Sequence, residues 1–187
     1  MILLRPINWE NIDTHYRWNN DEELNYYDSD YPHEKESYQS FLTRLKELDS
    51  DQNHTVTIFE IIDTNSNKLI GLVDIHGIDY KNKRCFMECT IAEKDFRNQG
   101  FGKTASEEAL RYCFENLEMN KVLTTSFDFN DTWIHVIESL GFKQEARLRQ
   151  HAIKKNEFRD KLIFGILKSE YVDQPYSKKG EKVVFSS

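Results

Sequence analysis

Cysteine is scarce in this chain of 187 residues: Cys85, Cys89 and Cys113 are an odd trio without framework spacing. That excludes a disulfide scaffold and fits reduced thiols in the cytoplasm. The cysteines also lack close partners in the spacing of a zinc site, so no metal is expected. Long apolar runs are missing as well. Met1-Ile2-Leu3-Leu4 is cut short by Arg5-Pro6, and nothing later approaches the ~18 apolar residues of a membrane helix. Positive charge is in deficit, with 25 Lys and Arg against 32 Asp and Glu and a formal net charge of -7. Binding to a phosphate backbone depends on cations, so nucleic acid is not an expected partner, whereas an acidic surface attracts cationic amines. Glycine and proline number only seven and three, which opposes a linker-dominated chain. What remains is a 39% hydrophobic sequence long enough for one compact core.

The patterning predicts a mixed α+β domain. Ile2 to Arg5 reads as a first strand, and Pro6 followed by Trp9-Glu10-Asn11-Ile12 as a turn leading into a helix through Trp18, broken by Asn19-Asn20-Asp21-Glu22. Tyr38, Phe41, Leu42, Leu45 and Leu48 have helical spacing, closing at Asp49-Ser50-Asp51. His54 to Ile62, Leu69 to Ile75 and Cys85 to Ala92 then read as a meander of strands separated by polar turns. Beyond Gly102, Ala105, Ala109, Tyr112, Cys113 and Leu117 share one helical face. A strand Val122 to Phe129, a helix Asp131 to Leu140 closed by Gly141, and two strands around Lys154-Lys155-Asn156-Glu157 complete the order. Residues 1–171 form the domain, and 172–187 read as a tail with at most one added strand.

The most informative stretch is Phe96-Arg97-Asn98-Gln99-Gly100-Phe101-Gly102-Lys103, between a strand and the long helix. Glycines allow close backbone approach to an anion, and the unpaired N–H groups of a first helical turn point at it with the positive end of the helix dipole. A pyrophosphate fits such a place. Gly102-Lys103-Thr104 also ends like a Walker A loop, but the position of that loop's first glycine holds Arg97. A dinucleotide-binding loop would need G-x-G-x-x-G near the first strand of a parallel sheet, not after a meander.

Arg97-x-x-Gly100-x-Gly102, followed by Asn130 and a helix ending Leu140-Gly141-Phe142, resembles the acetyl-CoA loop and its companion elements in the GNAT superfamily. The likeness spans Ile2 to Tyr171, and the end of the chain is similar to the branch holding ribosomal-protein N-terminal acetyltransferases, with spermidine and amino-sugar enzymes as relatives. The resemblance implies a GNAT fold, a mostly antiparallel twisted sheet of about seven strands flanked by about four helices. It implies acetyl-CoA as co-substrate, no metal, and an acceptor that is a small-molecule amine or a protein N-terminus; it leaves room for a homodimer. By the same resemblance Arg97, Asn98, Gln99, Gly100, Phe101, Gly102 and Lys103 hold the pyrophosphate, Asn130 contacts the cofactor arm, and the strand near Ile91 bonds the pantetheine. The strand Cys85 to Ala92 splays from Val122 to Phe129, opening a slot for the thioester and exposing an N–H to a developing oxyanion.

An alkyl amine of pKa near 10.4 is protonated at neutral pH, and neutralising it costs roughly 4 to 5 kcal/mol. Glu88, on the central strand where the family often places a carboxylate, is the expected base, with His76 on the neighbouring strand second. Tyr26, Tyr27 and Asp28 follow the first helix, where this branch builds part of its acceptor pocket; a carboxylate beside aromatic rings suits an ammonium. Two departures stand out. Ile137 occupies the place of the tyrosine that often protonates the departing thiolate, and Trp133 stands where relatives prefer a small residue. They motivate the alternative of a non-catalytic acyl-CoA-binding or regulatory module.

Overall fold

A computed structural model of the chain describes residues 1–49 and 54–178. Seven strands form one sheet: β1 (Ile2–Pro6), β2 (Thr57–Asp63), β3 (Lys68–Asp79), β4 (Arg84–Ile91), β5 (Lys121–Phe127), β6 (Lys143–Lys154) and β7 (Glu157–Leu167). Their order is β1-β2-β3-β4-β5-β7-β6, antiparallel throughout except where β4 meets β5. The helices are α1 (Ile12–Asn19), α2 (Glu22–Asp28), α3 (Tyr38–Asp49), α4 (Phe101–Arg111), α5 (Asp131–Ser139) and the single turn α6 (Lys168–Tyr171). The mixed, mostly antiparallel architecture is the expected one.

Strand alternation divides the sheet into two faces. Val73 and Ile75 of β3 and Cys85 and Met87 of β4 are fully buried and meet Ala105, Ala109 and Leu110 of α4 in the main core. Past Arg111 the helix widens into a π turn over Tyr112–Asn116, which keeps Cys113 and Phe114 in that core. The registers Glu60↔Leu72, Leu72↔Thr90, Asp74↔Glu88 and His76↔Phe86 line up the opposite face, which α1 and α2 approach. The polar residues of the middle strands therefore face away from the greasy side.

Glu60 fixes α1 to that second face. It has no solvent exposure, and accepts from Arg5 Nε (2.8 Å), Asn8 N (3.1 Å), Asn11 Nδ2 (2.9 Å) and His15 Nε2 (2.7 Å). Burial works against its charge, but these donors outweigh burial and hold the carboxyl below the ordinary range. A carboxyl depressed on folding stabilises above its unfolded pKa, and that contribution is lost as the pH falls through the folded value. Glu60→Ala is expected to lower unfolding free energy by about 3 to 5 kcal/mol at pH 7, measured by chemical denaturation, with the difference shrinking on acidification below about pH 4.

Two segments differ from the sequence expectation. Asn19-Asn20-Asp21-Glu22 ends α1, but Asp21 also begins α2, its Oδ1 accepting from Glu23 N (2.9 Å) and Leu24 N (3.1 Å). A residue that terminates one helix by competing for backbone donors is equally suited to cap the next. Tyr26, Tyr27 and Asp28 thus stand on a helix. At the other end, 172–178 fold back as a turn, with Tyr176 buried and its hydroxyl donating to Leu140 O at 2.6 Å. Ser50 and Asp51 of the expected α3 closure, and 179–187 of the expected tail, lie outside the described residues.

Candidate active site

The site begins where two strands part. β4 and β5 pair only at Arg84↔Lys121, Cys85↔Val122 and Phe86↔Leu123, yet continue to Ile91 and Phe127. Alternate N–H and C=O groups of each strand therefore face a widening gap without a strand partner. On the β5 side Thr125 is served by side chains: its N–H donates to Glu88 Oε1 at 3.0 Å, and its C=O accepts from Trp133 Nε1 at 3.2 Å. Glu88 further accepts from the hydroxyls of Thr124 (3.0 Å) and Thr125 (3.1 Å). Its carboxyl sits deep in the cleft, and burial pushes its pKa up to about 7 against those donors. A carboxyl poised there can both take and release a proton at neutral pH.

The glycine loop forms the other wall. After a 3-10 turn at Lys94–Phe96 the chain passes through left-handed conformations at Asn98 (φ 59°) and Gly100 (φ 84°) and enters α4 without a side-chain cap. Thr104 N donates to Gly100 O (3.1 Å), and among the described residues no protein acceptor meets the N–H groups of Phe101, Gly102 and Lys103. An uncapped helix start with aligned free donors is an anion site. Gly102 rests on the end of β4, where an added Cβ would lie 3.6 Å from Ile91 Cγ1.

Arg97 has a different geometry from the rest of the loop. Its N–H donates to Lys94 O (3.1 Å), while its guanidinium bonds Ile91 O (3.0 Å), Ala92 O (2.9 Å) and Glu23 Oε1 (2.6 Å). It braces the end of β4 and ties the loop to α2, so the free main-chain donors begin after it. Gln99 Nε2 bonds Asp95 O, and Lys103 has no side-chain partner among the described residues. Asn130 caps α5, its Oδ1 accepting from Trp133 N at 3.3 Å.

The remaining expected residues gather on the second face. Asp28, at the end of α2, accepts from Thr90 Oγ1 at 3.2 Å; water still reaches it, but the surrounding protein pushes its carboxyl up to about 6. His76 stacks on Phe86 with 5.5 Å between centroids and lies 3.6 Å from Asp74 Oδ1. Asp74 raises the imidazole pKa against burial, and Glu88 adds to the rise. Tyr26 and Tyr27 pack on Phe129 at 4.8 and 5.9 Å. Glu88, His76 and Asp28 thus share one cleft with Thr90 and Asp74. Sequence reasoning did not single out Thr90, Thr124 or Thr125; only the period-two alternation with Glu88 could have marked Thr90.

Residues 1–143 match the acetyltransferase (GNAT) domain family. The chain belongs to that family. Among curated proteins this GNAT chain is 31% identical over 107 residues to the SPbeta prophage-derived uncharacterized N-acetyltransferase YokL of Bacillus subtilis, a match covering 57% of this chain and 60% of that protein. It is 29% identical over 142 residues to the spermidine N(1)-acetyltransferase of Vibrio cholerae, covering 75% and 80%. The crystal structure of spermidine N-acetyltransferase from Vibrio cholerae in complex with CoA and spermine superimposes with a TM-score of 0.83 at 24% identity, over 92% of this chain and 98% of that one. The GNAT fold expected from the loop and the LGF element is therefore present, and the chain spans about 60% of the length of the first of these curated relatives.

Within the GNAT frame both departures have a physical setting. Ile137 is fully buried in the core, so no hydroxyl stands at that place, and His135 and Ser139 lie on the exposed side of α5. Trp133 fills its position by bonding the Thr125 carbonyl. Among the described residues no group of His, Cys, Asp or Glu is arranged to hold a metal ion, and no helix is long and apolar enough to cross a membrane.

Proposed function

We propose that residues 1–171 catalyse direct transfer of an acetyl group from acetyl-CoA to a primary amine, with Glu88 as the base. The carrying observation is the Glu88 carboxyl itself, held by Thr124 and Thr125 at the parting of β4 and β5 with its pKa near the operating pH. The free N–H groups after Arg97 grip the pyrophosphate, and Asn130 and the end of β4 at Ile91 flank the pantetheine arm. Glu88 takes a proton from the ammonium, the amine nitrogen attacks the thioester carbon, and an unpaired β4 N–H holds the oxyanion. The C–S bond then breaks as the new amide nitrogen gives up its remaining extra proton to water. A thiol of pKa near 8.5 lies only about 2 kcal/mol from its anion at pH 7, so water protonates the departing sulfur without a tyrosine.

The acceptor is a cationic small-molecule amine, a polyamine ahead of an amino sugar or a protein N-terminus. Support comes from Asp28, Asp74 and Glu88 in one cleft beside Tyr26 and Tyr27, and from relatives named spermidine N(1)-acetyltransferases. His76 is the second candidate for moving the proton. Three free thiols suit a cytoplasmic location. A homo-oligomer is the proposed assembly, since the edge hairpin β6–β7 exposes Leu148, Ile153 and Phe158 and one Vibrio cholerae neighbour is described as dodecameric.

The decisive test is thiol release from acetyl-CoA with spermidine, glucosamine and an N-terminal peptide in parallel. Release with spermidine above the other two is expected. No release with any amine, together with retained acetyl-CoA binding, would favour the second reading, a binding-only module in which Trp133 closes the thioester slot.

A further inference from the structure

α2 carries Asp28 to the mouth of the cleft but contributes no fully buried residue of its own, so something else must hold it. The β6–β7 hairpin does. Lys154, the last residue of β6, is only 5% exposed, and its ammonium donates to Asn25 O (3.4 Å) and, more closely, to Ser29 O. It lies 4.8 Å from the Phe127 ring centroid and 5.8 Å from that of Tyr26. Among the described residues it forms no ion pair; Asp30 and Asp28 act on it only from a distance, and burial pulls its pKa down.

An ammonium buried among aromatic rings costs more free energy than an apolar side chain of similar length, unless its donors do something that chain cannot. Here they close the Ser29 carbonyl at the end of α2 and add a second donor to the Asn25 carbonyl, which already accepts from Ser29 N at 3.0 Å, and they complement the negative end of the helix dipole. The two carbonyls bracket Asp28 in sequence. One residue further on, Asp30 is held by Lys161 of β7 at 2.7 and 2.8 Å. The hairpin thus grips the chain before and after Asp28 while leaving that carboxylate to Thr90.

We propose that Lys154 is a positioning residue for acceptor binding: by capping α2 from the hairpin it holds the Asp28 carboxylate over Thr90 at the mouth of the cleft. The inference rests on the acceptor cleft described above. In the full chain, Lys154→Met is expected to raise the spermidine KM by about tenfold or more, with kcat and the acetyl-CoA KM within about twofold. Lys154→Arg, which keeps a cation at the carbonyls, should recover part of the loss. In Asp28→Asn the same Lys154→Met change should add little, because both act on one contact.

Amide exchange supplies a readout independent of activity: α2 should exchange about tenfold faster in Lys154→Met while α1 keeps its protection. A spermidine KM unmoved by Lys154→Met would overturn the inference, as would a parallel rise in the acetyl-CoA KM or unchanged exchange at α2. Should the wild-type chain acetylate no amine, the acceptor reading falls and takes the KM assignment with it. Faster exchange would then leave Lys154 as a helix cap alone.

Discussion

Gly100→Val is expected to reduce acetyl-CoA affinity by about 100-fold or more while leaving the protein folded. Gly100 stands at φ 84°, where a β-branched side chain is strained. An added Cβ would meet no protein atom within 4 Å, so the core does not suffer. It would enter open space at the start of α4, where it is expected to crowd a pyrophosphate held by the free N–H groups. Losing two charge-assisted bonds at about 1.5 kcal/mol each accounts for the factor. Gly102→Ala is the control: its φ is unstrained and its Cβ would touch Ile91 Cγ1 at 3.6 Å, an ordinary contact, so a smaller loss is expected. Calorimetric titration with acetyl-CoA measures both. Equal affinities for wild type and Gly100→Val would remove the loop from cofactor binding.

Glu88→Gln is expected to cut kcat/KM by about 100-fold to 1000-fold at pH 7, the usual worth of a positioned base. The wild-type profile should rise through a limb near 7, where Glu88 loses its proton, and the variant should lack that limb. Toward pH 10 the amine deprotonates unaided, so the deficit should shrink. Stability should move the other way. A carboxyl raised from 4.5 to about 7 on folding stabilises fully below pH 4.5, and that contribution is lost as the pH rises through the folded value. Glutamine carries no such loss, and its oxygen can still accept from Thr125. Discounted for water in the cleft, the variant should exceed wild type by about 1 to 2 kcal/mol at pH 8 and match it near pH 4. A pH-rate profile and two denaturation curves decide the matter; an unaltered limb would acquit Glu88 of the role.

The parts of the molecule that depend on short-range pattern were legible in the residues. Val73 and Ile75 alternate with Asp74 and His76, Met87 is followed by Glu88, and Ala105, Ala109 and Cys113 repeat with helical period, so strands and α4 follow from burial of one face. The glycine loop was equally plain, since positive φ at Gly100 asks for that residue. α2 was not. Asp21 looks the same whether it stops one helix or caps another, and tertiary contacts such as Tyr26 on Phe129 and Lys154 on the Asn25 carbonyl select the second. The bonds of Thr125 to Glu88 and Trp133 join β4, β5 and α5 across the parted strands. Such partners are chosen by tertiary placement, which no local spacing encodes. Arg97 shows the reverse case: it sits in the expected motif, yet its side chain is committed to Ile91, Ala92 and Glu23.

The three cysteines bear on how the reaction can be watched. Cys85 on β4 and Cys113 in the π turn past α4 have no accessible surface, and burial lifts the Cys89 thiol to about 12, so its thiolate is scarce at pH 8. A disulfide dye therefore finds almost no reactive sulfur on the folded protein. Colour that develops during turnover reports liberated coenzyme, and a slow background drift would signal unfolding.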